Sequence, residues 1–301
     1  MTTVRTILVA TDLSAPARHA VQRALLLSSV AGGAVHVLHV LELDALDSLR
    51  ELLGADLAAT KAALAADASE RLAQLVSDAA SRGGVAAQTR VVAGTPLAVI
   101  AGEAEALDAG LLVLGARGES FLRHAMLGST AARLLRKSAG RPVLVVKQPP
   151  REDYGKVLVA VDFSPASLLA IREAVRWAPG ADLVLLHAFE LPFEGKLRSA
   201  GVEDQVIRQY IAEGVEARRG QVRELAASAG LAAGSYSVRV IRGDPSQQII
   251  AMEQEYDADL LVVGKHGTHI TEELLLGSVT KHVLAEAQGD VLVVADARPA
   301  E

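Results

Sequence analysis

Runs of branched aliphatic residues recur along the first half of the chain at 5–11, 34–40, 86–92, 111–115 and 142–147, and each reads as a strand. Between them, apolar residues return at helical spacing over 16–31, 48–82, 96–108 and 129–138. Strands that are apolar along their whole length are buried on both faces, and their alternation with helices predicts a parallel sheet covered on each side. Right-handed crossovers turn that order into a doubly wound, Rossmann-like α/β sandwich.

The pattern then repeats. The segment ILVATDLS at 7–14 returns as VLVAVDFS at 157–164, and HVLEL at 39–43 returns as HAFEL at 187–191. In the same order, VVAGTP at 91–96 returns at 240–245 as VIRGDP, and LLVLG at 111–115 returns at 260–264 as LLVVG. Collinear matches with nearly constant offset are the mark of a duplication. Two tandem five-stranded domains are predicted, at 1–148 and 153–297, with a second long helical stretch at 203–229. The linker around 148–154 carries the adjacent Pro149 and Pro150, which continue neither strand nor helix. Helix starts fit this register: Ser14 and Ser164 stand at N-caps, with Pro16 and Pro165 in the first turn.

Composition narrows the class. Half of the 301 residues are hydrophobic and only 3% aromatic, which suits aliphatic cores of two ordinary domains. Residues 1–150 hold 15 Lys and Arg against 13 Asp and Glu (+2), and the remainder 15 against 23 (−8). A net charge of −6 argues against nucleic acid as a partner. The absence of cysteine removes disulfides, thiolate metal sites and thiol catalysis. No signal peptide precedes the first strand and no apolar run reaches membrane-spanning length, so a cytoplasmic protein without membrane association is expected.

Candidate chemistry sits after the fourth strand of each copy. Gly115 and Gly118 are followed, after nine residues, by Gly128 and Ser129; Gly264 and Gly267 are followed, after nine, by Gly277 and Ser278. Phosphate oxygens need several backbone N–H groups directed into one concavity that no side chain blocks. The Gly-Ser pair opens a helix whose N-terminal amides and dipole favour an anion. The first strand ends nearby at Asp12 and Asp162, carboxylates able to accept from an adenine amino group or a ribose hydroxyl, or simply to cap the following helix.

These residues resemble the universal stress proteins in their tandem two-domain form, over 3–147 and 154–296, and the G-x2-G-x9-G-S pattern is similar to that of the family's ATP-binding branch. The resemblance implies ATP, accompanied by Mg2+, as the ligand. It implies phosphate contacts from Gly115, Gly118, Gly128 and Ser129 in one copy and Gly264, Gly267, Gly277 and Ser278 in the other. It also implies adenosine contacts from Asp12 and Val40, and from Asp162 and Ala188, where alanine replaces valine. The first loop has Arg117 and Arg123 against Glu119, whereas the second has Lys265 against Glu272 and Glu273; tighter binding by the first half is expected. The family's pairing through fifth strands, here near 142–147 and 290–295, implies an intramolecular pseudo-dimer.

The function so expected is adenine-nucleotide binding in a stress-response regulator. An enzyme is the first rival. The chain lacks a P-loop Gly-Lys-Ser, a His-x-Gly-His signature, a Ser-Gly-Gly run and Gly-x-Ser-x-Gly, so at most slow ATP hydrolysis is expected. His39 and His187, at equivalent strand ends, read either as general bases or as buried histidines with backbone partners; His124, His266 and His269 lie in the glycine loops. The second rival is a ligand-independent docking scaffold that uses its long helices to meet a protein partner or a second copy.

Overall fold

The computed structural model describes residues 6–43, 57–83, 85–116, 127–137, 140–190, 199–267 and 276–296. The chain divides into two compact units, Met1–Asp153 and Tyr154–Glu301.

In the first unit the order is β1 (Thr6–Thr11), α1 (Ala15–Ala31), β2 (Ala34–Leu41), α2 (Leu57–Gly83), β3 (Ala87–Ala93), α3 (Pro96–Ala106), β4 (Ala109–Gly115), α4 (Ser129–Lys137) and β5 (Val143–Val146). The second unit repeats it as β6 (Lys156–Ala160), α5 (Pro165–Trp177), β7 (Asp182–Phe189), α6 (Asp204–Ser228), β8 (Ser237–Arg242), α7 (Pro245–Tyr256), β9 (Leu260–Gly264), α8 (Ser278–Glu286) and β10 (Asp290–Val294). The helical pattern at 48–82 is helix from Leu57 onward; its predicted start falls within 44–56, outside the described residues.

Each unit holds a five-stranded parallel sheet, ordered β3-β2-β1-β4-β5 in the first and β8-β7-β6-β9-β10 in the second. The chain steps outward from β1 through β2 to β3, then returns to the other side of β1 for β4 and β5. With right-handed crossovers, that reversal places the two sets of helices on opposite faces. Accordingly α1 packs on α2, α3 on α4, α5 on α6 and α7 on α8. The central strands are fully enclosed: Ile7, Val9, Leu111 and Val113 in one unit, and Val157, Val159, Leu260 and Val262 in the other, are all 0% exposed. The edge strands differ. Gln88, Thr89 and Arg90 of β3 and Arg239 of β8 are exposed, and Arg90 pairs with Glu103 at 2.8 Å.

Helix starts follow the sequence signals with one exchange. Ser14 Oγ accepts from the Ala17 amide at 3.3 Å, and Asp244 caps α7 through the Gln247 amide at 3.0 Å. Ser164 occupies the cap position of α5, but its hydroxyl turns to Asp162 instead.

At the opposite end of the second unit, the entry to β10 is fixed by a buried acid. Glu253 Oε1 accepts from the amides of Gln288 and Gly289, at 2.8 and 2.7 Å. A Cβ on Gly289 would stand 2.7 Å from the Ala258 carbonyl oxygen, so this approach of two backbones requires glycine. Removing the acceptor orphans two amides, and adding the methyl forces backbone apart. Glu253→Ala and Gly289→Ala are each expected to destabilise the chain by about 1–3 kcal/mol in urea unfolding. Unchanged midpoints would contradict this account of the corner.

Candidate functional site

The reversal of strand order leaves a crevice beyond the carboxyl ends of β1 and β4, and of β6 and β9, the place where open α/β sheets receive ligands. Asp12 follows β1, Val40 lies near the end of the adjoining β2, Gly115 closes β4, and Gly128 and Ser129 begin α4. The second unit places Asp162, Ala188, Gly264, Gly277 and Ser278 equivalently, and adds Gly267. Arg117 and Gly118 lie outside the described residues, as do Arg123, His124, His269, Glu272 and Glu273.

The two crevices share one hydrogen-bond frame. In the first, Ala116 N–H donates to Val146 O, Gly128 N–H to Ala116 O, and Ala132 N–H to Gly128 O, each at 2.9 Å. In the second, Lys265, Gly277 and Lys281 donate in the same way to Val294, Lys265 and Gly277, at 2.7, 3.0 and 3.0 Å. The glycine amides are therefore spent on the frame. The first-turn amides of α4 and α8 have no carbonyl within their own helix and remain as donors at this end of each helix. Ser129 and Ser278 are exposed beside them. In the second unit the Thr280 hydroxyl also donates to the Gly264 carbonyl at 2.6 Å, tying α8 to the end of β9; Ala131 stands at that position in α4. Lys265, next in the loop, is 3% exposed.

The glycines of the second loop answer to different demands. A Cβ on Gly267 would lie 2.9 Å from Asp162 Oδ2, so a side chain there must displace that carboxylate, and one on Gly264 would crowd the Ala166 Cβ at 3.1 Å. Gly277 has φ −57° and ψ 153°, ordinary values for a helix cap, and its Cβ would have room, with Lys265 O nearest at 3.5 Å. Neither backbone nor packing requires glycine at 277.

Both aspartates stand in strained turns. Leu13 and Phe163, the next residues, each hold φ at 65°, a region that branched and bulky residues rarely enter. This bend brings the Ser14 and Ser164 amides to 3.0 Å from the Oδ1 atoms of Asp12 and Asp162. Neither turn carries glycine, so nothing in the sequence announces it. Such strain persists where surrounding packing over-determines it, and it gathers at functional sites.

His39 and His187 are buried, and each Nδ1–H donates at 2.8 Å to a backbone carbonyl, of Thr11 and Val161 respectively. They fasten the end of one strand to its neighbour. His187 also packs on Phe163 and Phe189, with ring centroids 4.4 and 5.9 Å away. Burial holds its pKa below the ordinary 6.5; Arg218 adds to the effect, while the Val161 carbonyl and Asp162 oppose it. A lowered folded pKa means that the unfolded chain takes up this proton first. The stabilisation is fully present above about pH 6.5 and is lost as pH falls through the lower, folded value. Acidification from pH 7 to 5 should therefore lower the unfolding midpoint of the wild type more steeply than that of His187→Gln. Separately, Gly267→Ala is expected to depress the midpoint at neutral pH, whereas Gly277→Ser, a good helix cap, should leave or raise it. Parallel pH profiles, or equal effects of the two glycine changes, would contradict these assignments.

Among the described residues, no group of three or more His, Asp or Glu side chains could hold a metal ion, and no helix is long and apolar enough to cross a membrane. Comparison with known proteins places the chain. A universal stress protein of Mycolicibacterium smegmatis is 31% identical over 196 residues, 62% of each chain, and one of Mycobacterium tuberculosis is 30% identical over 199 residues, again 62% of each. The similarity thus spans about three fifths of the length of these relatives. The crystal structure of a universal stress protein from Archaeoglobus fulgidus superposes with a TM-score of 0.67 at 20% identity, covering 98% of this chain and 100% of that one. The family model for universal stress proteins matches twice, over residues 3–147 and 153–295. The chain, with two such domains in tandem, belongs to the universal stress protein family.

Proposed function

We propose that this protein binds an adenine nucleotide, ATP with Mg2+, in the crevices at the carboxyl edges of its sheets, and that it acts as a nucleotide-dependent regulator in a stress response. The observation that carries this reading is Gly277. It sits at the start of α8 with an ordinary backbone, and a Cβ there would meet Lys265 O, Thr280 Oγ1 and His266 Cα only at ordinary contact distance, so neither strain nor a clash accounts for glycine beside the first-turn amides. A concavity bounded by unspent N–H groups at a helix N-terminus suits a phosphate. Gly128 occupies the same place in an identical hydrogen-bond frame.

The remaining residues fit the rest of such a ligand. Asp12, exposed at the end of β1, offers a carboxylate to sugar or base donors, and Val40 an apolar contact one strand away. A bound triphosphate would bring its own Mg2+, held through phosphate oxygens and water rather than by a protein cage. The chain's contribution is to position and neutralise phosphate through backbone amides, a role that requires no acid–base group.

Titration of the full chain with ATP and Mg2+ is expected to give saturable binding, and acid-quenched preparations should release adenine nucleotide. A variant carrying both Gly128→Asp and Gly277→Asp keeps good helix caps but sets a carboxylate against the phosphate in each unit. It should lose at least tenfold in affinity with an unchanged circular dichroism spectrum. Absence of any binding by the wild type would favour the ligand-independent scaffold, and rapid steady-state phosphate release would favour the enzyme.

A further inference from the structure

Asp162 stands between two residues that both lean on His187. The residue before it, Val161, receives the His187 Nδ1–H on its carbonyl oxygen at 2.8 Å. The residue after it, Phe163, packs its ring on the imidazole, with centroids 4.4 Å apart and planes inclined by 42°. His187 is itself held in place. Phe189, two residues on in β7, stacks on it at 5.9 Å and 9°, and the Arg218 guanidinium from α6 lies 4.0 Å from the Phe189 centroid. A chain of guanidinium, ring, imidazole and ring thus runs from α6 to the turn that carries the carboxylate.

The backbone creates the need for such a hold. Phe163 keeps φ at 65°, a strained value for a bulky side chain. Leu13 makes the same turn in the first unit, where Thr11 Oγ1 accepts the Leu13 amide at 3.1 Å. Position 161, equivalent to 11, is valine and offers no hydroxyl. Of the carboxylate itself, Oδ1 accepts from the Ser164 amide and hydroxyl and from the Ser167 hydroxyl. Oδ2 lies beside Gly267, where the missing Cβ leaves it room.

We infer that His187 is a positioning residue for nucleotide binding in the second crevice: by holding both neighbours of Asp162, it aims Oδ2 at the hydroxyl or amino donors of the nucleoside. The inference rests on the nucleotide-binding reading above. Hydrogen bonds weaken steeply as their geometry departs from linear, so a carboxylate aimed in advance binds without the cost of ordering its turn. The role uses the Nδ1–H and the flat face of the ring, and no proton changes hands.

A full chain carrying Gly128→Asp leaves the second crevice as the binding site, and calorimetric titration with ATP and Mg2+ then reports on it. In that background His187→Gln, whose amide reaches toward the Nε2 position, should weaken binding about tenfold. His187→Asn, whose amide nitrogen can take the place of Nδ1 but which lacks the ring, should lose only about threefold. Asp162→Ala should also weaken binding about tenfold, and adding His187→Gln to it should change nothing further, because no carboxylate is left to aim. A merely structural role would multiply the two losses. Should His187→Gln fail to fold, Phe163→Leu, which carries the residue that makes this turn in the first unit, takes its place in the same cycle. Multiplying losses, or unaltered affinity in a folded His187→Gln or in Asp162→Ala, would overturn the positioning role while leaving nucleotide binding intact. A Gly128→Asp chain that binds no ATP would overturn nucleotide binding by the second crevice, and the inference with it.

Discussion

A parallel strand cannot be followed directly by its neighbour; the chain must leave the sheet at the carboxyl edge and return over one face. Everything else in each unit follows from where that exit changes side. Because β1 leads toward β2 and β4 leads toward β5, their ends diverge, and the gap between them cannot be filled by either connection. The aliphatic strands make the arrangement stable, since Val, Leu and Ile side chains on both faces are enclosed by paired helices. The opening is thus a by-product of burying the sheet twice, and polar chemistry collects there because the core excludes it elsewhere.

Within that opening the backbone does most of the work. The left-handed residues Leu13 and Phe163 aim the preceding carboxylates, the histidines one strand over secure those strand ends through their Nδ1 atoms, and the loop returning from β4 or β9 delivers a helix start. Side chains adjust this plan differently in the two copies. Ser167, Thr280 and Lys265 of the second unit correspond to Ala17, Ala131 and Ala116 of the first. Each change adds polar contact or bulk to the second opening, so one backbone frame supports two local chemistries.

Much of this was legible in the sequence. The strand read at 34–40 is Ala34–Leu41, that at 111–115 is Ala109–Gly115, and the helix read at 129–138 is Ser129–Lys137, because enclosed aliphatic runs and Gly-Ser helix starts leave little ambiguity. The glycine spacing was read only as suiting phosphate; that Gly267 stands against Asp162 is revealed by tertiary packing alone. Three features left no signal. The left-handed turns carry leucine and phenylalanine rather than glycine; the Gly128 and Gly277 amides are consumed by the frame instead of facing outward; and Ser164 gives its hydroxyl to Asp162 although its position reads as an ordinary cap. In each case a long-range or strained arrangement prevailed over the local preference of the residue.

The outward edges of β3 and β8 bear on a different problem, how such a chain survives its own assembly. Parallel sheets join segments far apart in sequence, so they form late and leave aliphatic strands uncovered for longer than local hairpins do. An open edge during that interval is a template for another molecule's strand. Arg90 and Arg239 put an exposed charged residue on each of those two edge strands. Charge carried on an edge strand is one of the devices by which folded sheets discourage such docking.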